Sequence, residues 1–176
     1  MDIHAKLRQG HVRRWHTVAV AREQTVSDHC HRVGVIAEEV LKTLGDPLTA
    51  LVDHCTQWAA IHDRHEVITG DLPPHAKAAA GTEFAFYEKA ADPEAAAFLH
   101  PFGDWARAAI QTVVGLADVV EAANYLVFFG IGPHAEEVRK ELAEEAHRRG
   151  ESACASLQRG QIARDNLAKL IASLVG

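Results

Sequence analysis

The sequence has no surplus of positive charge: 18 Lys and Arg stand against 24 Asp and Glu, a net charge of -6. Neutralising a phosphate backbone takes a basic surface, so no nucleic-acid partner is expected, and a phosphate bound here belongs to a small ligand. Cysteine is scarce as well. Cys30, Cys55 and Cys154 form no CxxC pair, and an odd number fits poorly with a disulfide framework, so a reducing compartment is expected. No apolar run reads as the ~20 residues that span a bilayer, and "MDIHAKLRQG" lacks the apolar core of a signal peptide. These readings expect a cytoplasmic protein with no membrane partner. Linkers, repeats, low-complexity tracts and hairpin signals are also missing. What is there, 176 residues of which 48% are hydrophobic and 24% charged, suits one domain over residues 1–176 with its own core.

Helical spacing dominates the chain. From Val26, apolar residues recur at Cys30, Val33, Ala37, Val40, Leu41 and Leu44, with Thr25 or Ser27 to cap the start and Gly45 to end it. A second stripe runs through Leu48, Leu51, Val52, Cys55, Trp58 and Ala59, and the next residue on it is His62. Gly70 and Pro73-Pro74 break that pattern. A helix follows over about Ala76 to Ala91. The segment from Asp104, apolar almost all round, reads as the central buried helix, interrupted by Asp118, Glu121 and Asn124. From His134 to Arg149 the pairs Glu136/Lys140, Glu144/Arg148 and Glu145/Arg149 give a solvated helix with a seam at Val138 and Leu142. The last helix packs through Leu157, Ile162, Leu167, Leu170, Ile171 and Leu174. With no strand signal, the fold class is all-α.

Twelve histidines are the unusual figure, and three inward-facing places hold polar residues: His29, the His62-Asp63 pair, and Asp118. A carboxylate taken out of water costs several kcal/mol unless a cation or hydrogen bonds compensate it. Each alone reads equally well as a structural contact. Together they favour a metal, because two imidazoles and two carboxylates suit divalent Zn, Mn, Co, Ni or Fe and suit a thiolate-preferring structural zinc poorly. A divalent ion polarises a phosphoryl oxygen and lowers the pKa of bound water toward ~7. Adjacent residues on a helix point about 100° apart, so His62 and Asp63 reach one ion only along the helix flank. If that helix persists, Glu66 at i+4 shares their face and can move a proton; otherwise it is a solvated partner of Arg64 or His62. Arg13 and Arg14 beside Trp15 offer a cationic fork and a flat ring, for phosphate and base or as a surface pair and core anchor. His31, His54, His65 and His134 read as surface or packing residues.

The ordered set in "QTVSDHCHRVGVIAEEV", "WAAIHDRHEVITGDLPPHAK" and "GLADVVEAANYL" resembles the HD superfamily of phosphohydrolases. With "HVRRWHTV", HDxxE and TGDLPxxxK, it looks like the 5'-deoxynucleotidase branch and its phage relatives that act on dATP. The resemblance implies an HD-type helical bundle with His29, His62, Asp63 and Asp118 as metal ligands. It implies Glu66 as catalytic acid/base, and Asp71 as a second catalytic residue that contacts the sugar or helps hold a second divalent ion near Glu66. Arg14, Trp15 and Lys77 match its nucleotide-binding positions, and His75 flanks them where relatives often carry proline. Relatives also commonly carry lysine where Gly115 stands, which leaves phosphate count and base preference open. The expected activity is dATP/dNTP triphosphohydrolysis in a homo-oligomer, within host cytoplasm if the chain is phage-encoded. The alternatives are a 5'-deoxynucleotidase removing phosphate from dNMPs, and a non-catalytic nucleotide or metal sensor. "NYLVFFGIG" is a subunit-contact candidate or internal core.

Overall fold

The computed structural model describes residues 1–72 and 74–176, with the side chains of residues 74, 75 and 78 outside the described set. The helices are α1 (Ile3–Leu7), α2 (Val26–Leu44), α3 (Val52–Ile61), α4 (Glu66–Thr69), α5 (Pro74–Ala91), α6 (Pro93–Phe98), α7 (Asp104–Phe129), α8 (Gly132–Ser156) and α9 (Gln161–Val175). Among the described residues extended pairing is limited to two isolated bridges, Arg13 with Thr25 and Val20 with Gly130. The all-α expectation holds.

Local chemistry explains the boundaries. Thr25, not Ser27, caps α2: its side chain accepts from the Asp28 amide while the Asp28 carboxylate accepts from the Thr25 amide. That reciprocal pair satisfies two backbone donors a helix start leaves free. Two short helices escaped the sequence pattern. α1 is capped by Asp2, and α6 begins at Pro93 behind the Asp92 cap, where a missing proline N–H costs nothing. The helix expected from Ala76 starts at Pro74 and carries a kink at Gly81 (φ 55°, ψ -132°).

α7 is the axis of the molecule and contacts α2, α3, α8 and α9. Ile110, Val113, Val114, Leu116, Ala117, Val120 and Ala123 are buried around its circumference, each large side chain contributing ~1.5–3 kcal/mol of hydrophobic stabilisation. By length and composition α7 could cross a bilayer, which corrects the expectation that no such run exists, but 61% of its apolar window is buried against neighbouring helices. Between α8 and α9, Gly150 permits close approach, since a Cβ there would meet Ile171 Cδ1 at 2.6 Å. In α9 the apolar stripe departs from expectation at Ile162, which is 79% exposed, while Leu167 and Ile171 carry the contact. Of the α8 pairs, Glu136/Lys140 and Glu145/Arg149 form, and Arg148 turns to Glu145 instead of Glu144. In "NYLVFFGIG", Tyr125 and Leu126 are core while Phe128 and Ile131 face solvent.

Candidate active site and metal centre

Three mutually packed helices deliver the polar residues. α2 carries His29 on the buried stripe with Val26, Cys30 and Val33; α3 ends at Ile61 and presents His62 as its C-cap; α7 brings Asp118. The sequence expectation of a continuous helix from His62 to Glu66 is corrected here. Residues 62–65 form a turn before α4, tightened by the Arg64 amide donating to the Ile61 carbonyl and the Glu66 amide to the Asp63 carbonyl, each at 3.0 Å. One donor atom from each of His29, His62, Asp63 and Asp118 lies within 4.8 Å of the others. His29 Nε2 is 3.1 Å from Asp118 and 3.5 Å from Asp63, and His62 Nε2 is 3.4 Å from Asp63.

The opposite ring nitrogens are already engaged. His29 Nδ1 lies 2.6 Å from Glu121 Oε2, and His62 Nδ1 lies 2.7 Å from the Ala59 carbonyl oxygen. A proton on each Nδ1 satisfies those acceptors and leaves the Nε2 lone pairs directed inward. Both Nε2 atoms are buried and make no well-directed hydrogen bond among the described residues. Orphaned nitrogens facing two carboxylates, each imidazole steadied by an acceptor behind it, are the donor set a divalent ion requires. The residues fit a metal.

Electrostatics give the same answer. Burial and the Arg14 charge pull His29 down, but the close carboxylates of Asp118, Asp63 and Glu121 win and push its metal-free form up to about 10. The cluster binds a proton in lieu of a cation. Burial favours neutral Asp63 and Asp118, yet the facing histidines hold Asp63 well below the usual carboxylate range and Asp118 below it too.

Glu66 behaves differently. Burial first, and then the Asp63 charge, raise it to about 8 against the opposing pull of Lys77, whose Nζ lies 2.8 Å from Glu66 Oε1. Beside ionised ligands sits a carboxyl group that carries a proton near neutral pH, the pairing of environments that separates acid from base in an active site. Glu66 reaches this place through the 62–65 turn, where its amide donates to the Asp63 carbonyl at 3.0 Å. Arg14 approaches from the N-terminal segment, 3.6 Å from Glu121 and 3.9 Å from Asp71, so the chain gathers Arg14, Asp71, Lys77 and Glu66 around the cluster. Trp15 stands one step back. With φ at 69°, rare for a bulky residue, it stacks on Tyr125 at 5.8 Å and donates its indole N–H to Gln24 at 2.8 Å. The His75 side chain lies outside the described residues.

Sequence reasoning passed over Glu121. Fully buried, it accepts from Gln24 at 2.8 Å and Arg32 at 2.7 Å besides facing His29, which links Trp15 through Gln24 to His29. Its signal was present: a carboxylate one turn beyond Asp118 on an otherwise apolar helix. His65, expected at the surface or in packing, is buried at 6% with Nε2 3.2 Å from Glu88, and it groups with Asp63 and Glu66. Arg64, between the two site residues, makes a buried two-pronged pair with Asp92 at 2.5 and 2.9 Å, anchoring the turn to α6. A cavity of about 300 Å³ between α8 and α9 borders none of these groups.

A helical bundle that brings two histidines and two aspartates within reach of one divalent ion, with a buried glutamate beside them, suits an HD-type, metal-dependent nucleotide phosphohydrolase. The family model of the YfbR-like 5'-deoxynucleotidases matches residues 4–122, and the chain belongs to that family. It is 29% identical over 149 residues, 84% of this chain and 82% of the relative, to a protein of Cyanophage S-2L named dATP triphosphohydrolase. The solved structure of the Cyanophage S-2L HD phosphohydrolase DatZ, described as bound to dA and one catalytic Zn2+ ion, is similar with a TM-score of 0.85. That match has 25% identity and covers 99% of this chain and 96% of the other.

Proposed function

We propose that the protein hydrolyses 2'-deoxynucleoside triphosphates, dATP foremost, to the deoxynucleoside and triphosphate. The observation that carries this reading is the pair of buried Nε2 atoms on His29 and His62 that make no well-directed hydrogen bond among the described residues and are turned toward Asp63 and Asp118. The relative named dATP triphosphohydrolase supports the substrate, and the zinc of the similar structure makes Zn2+ the first choice over Mn, Co or Ni. A divalent ion held by these four residues supplies Lewis acidity toward a phosphoryl oxygen and eases deprotonation of water.

The remaining work falls to the chain. Water adds to the α-phosphorus as the bond to O5' breaks; Glu66, whose proton burial holds above the ordinary carboxylate range, gives it to O5' and recovers one from the attacking water. Lys77 beside Glu66 brings positive charge to the phosphate. Among the described residues Arg14 Nε and Nη1 make no well-aligned hydrogen bond, so Arg14 has donors to offer. Asp71, facing Arg14, orients it and meets the sugar, or joins Glu66 around a second ion. Trp15, stacked on Tyr125, is assigned to the base and sugar side.

The second reading, removal of the single phosphate from dNMPs, is favoured by the family. Deoxy- and ribonucleotides with one to three phosphates, incubated with each metal and resolved by chromatography, decide between them. Triphosphate and deoxyadenosine from dATP support the first reading; an inert dATP beside a cleaved dAMP sinks it. We also assign the exposed Phe128 and Ile131 to a homo-oligomer contact, which light scattering tests. A cytoplasmic location without nucleic-acid partners completes the proposal.

A further inference from the structure

Of the four clustered donors, Asp118 is the most open, with 35% of its side chain exposed against 15% or less for the others. The cluster is therefore most open to solvent on the Asp118 side, along α7. One turn back on that side stands Gly115, offset from Asp118 by about 60° around the helix and about 4.5 Å along it. Its own side chain is missing, and another takes the place. Arg149 reaches across from α8, its Nη1 donating to the Gly115 carbonyl oxygen at 2.8 Å and lying 3.6 Å from where a Cβ would be.

Helical side chains tilt toward the N-terminus, so the Asp118 carboxylate covers the turn that Arg149 meets. On that geometry the two groups border the same stretch of the α7 surface, one turn apart. The charge at this edge is uneven. Glu145 serves both Arg148, at 2.6 Å, and Arg149, at 2.7 Å, which leaves two guanidinium groups with one carboxylate between them. Arg149 also keeps 44% of its side chain in solvent, whereas Arg14 and Lys77 face buried carboxylates inside the site.

We infer that Arg149, laid over Gly115 by α8, contacts the phosphates beyond the first and makes the site selective for phosphate-chain length. The inference rests on the phosphohydrolase reading and adds the residue that sets how many phosphates are preferred. Gly115 serves it by leaving the path open: a long side chain there displaces the guanidinium and fills the route.

The test measures KM for dATP and dAMP, and the affinity of metal-loaded protein for inorganic tripolyphosphate and orthophosphate by calorimetry. Wild type, Arg149→Gln, Arg149→Lys and Gly115→Leu are compared. Arg149→Gln and Gly115→Leu should raise the dATP-to-dAMP ratio of KM values about tenfold and weaken tripolyphosphate about tenfold more than orthophosphate. Arg149→Lys should recover part of both. An Arg149→Gln protein whose KM ratio and tripolyphosphate affinity stay within twofold of wild type overturns the inference. So does a wild type that binds tripolyphosphate no more tightly than orthophosphate. A wild type that cleaves no deoxynucleotide sinks the phosphohydrolase reading instead, and the tripolyphosphate titration still judges Arg149.

Discussion

Replacing Glu121 by glutamine tests whether the site is held from behind. Glu121 is fully buried, with His29 Nδ1 at 2.6 Å, Arg32 Nε at 2.7 Å, Gln24 Nε2 at 2.8 Å and Arg14 Nη1 at 3.6 Å. Every one of these neighbours is a donor, so the amide NH2 of Gln must face one of them. A hydrogen bond to a charged group contributes ~1.5–3 kcal/mol, and stripping the charge from a buried pair costs ~3–5 kcal/mol. Arg32 is 37% exposed and can rehydrate, which places the expected loss at the lower end, ~2–4 kcal/mol, or about 5–15 °C in Tm. The sharper readout is the metal. An outer acceptor behind a ligating histidine is worth ~10–100-fold in affinity, or ~1.4–2.8 kcal/mol. Competition against a chromophoric chelator at constant pH measures it. A folded Glu121→Gln protein that binds Zn2+ within twofold of wild type would refute the positioning role.

Glu66→Gln should abolish turnover while retaining metal, and wild-type kcat should fall once pH rises far enough to take the Glu66 proton, which burial holds above the ordinary carboxylate range. The sign for stability follows: the folded metal-free protein keeps a proton that the unfolded chain releases near 4.5, so stability falls with rising pH between 4.5 and about 8. Chemical denaturation across that window should show the slope in wild type and lose much of it in Glu66→Gln. Asp92→Ala strips Arg64 of its buried partner and should cost ~3–5 kcal/mol, read as a Tm drop of at least about 6 °C; an unchanged Tm contradicts the anchoring of the turn. Dialysis against a chelator should stop activity and lower Tm, since an ion at 100 times its Kd stabilises the fold by ~2.7 kcal/mol; equal melting with and without metal counts against the site.

Sequence alone determined the helices whose apolar residues recur at a turn's spacing, above all α2 and the all-round apolar α7. It also singled out His29, His62, Asp63 and Asp118, because charged and imidazole groups on buried stripes violate a pattern that is local and readable. The short α1 and α6 stayed hidden, since a few residues hold too little periodicity to register. The turn at residues 62–65 stayed hidden for another reason. Its shape is fixed by contacts from afar, such as Arg64 with Asp92, and nothing in "HDRHE" announces that the helix stops. Glu121 was visible as an oddity, but its role required knowing that α2 lays His29 against it across 92 positions of chain. The tertiary structure alone decided which buried polar groups face one another, which nitrogen of each histidine is spent, and which glutamate keeps its proton. Those are properties of distance and dielectric between separate helices, and a linear pattern records only what each helix must bury.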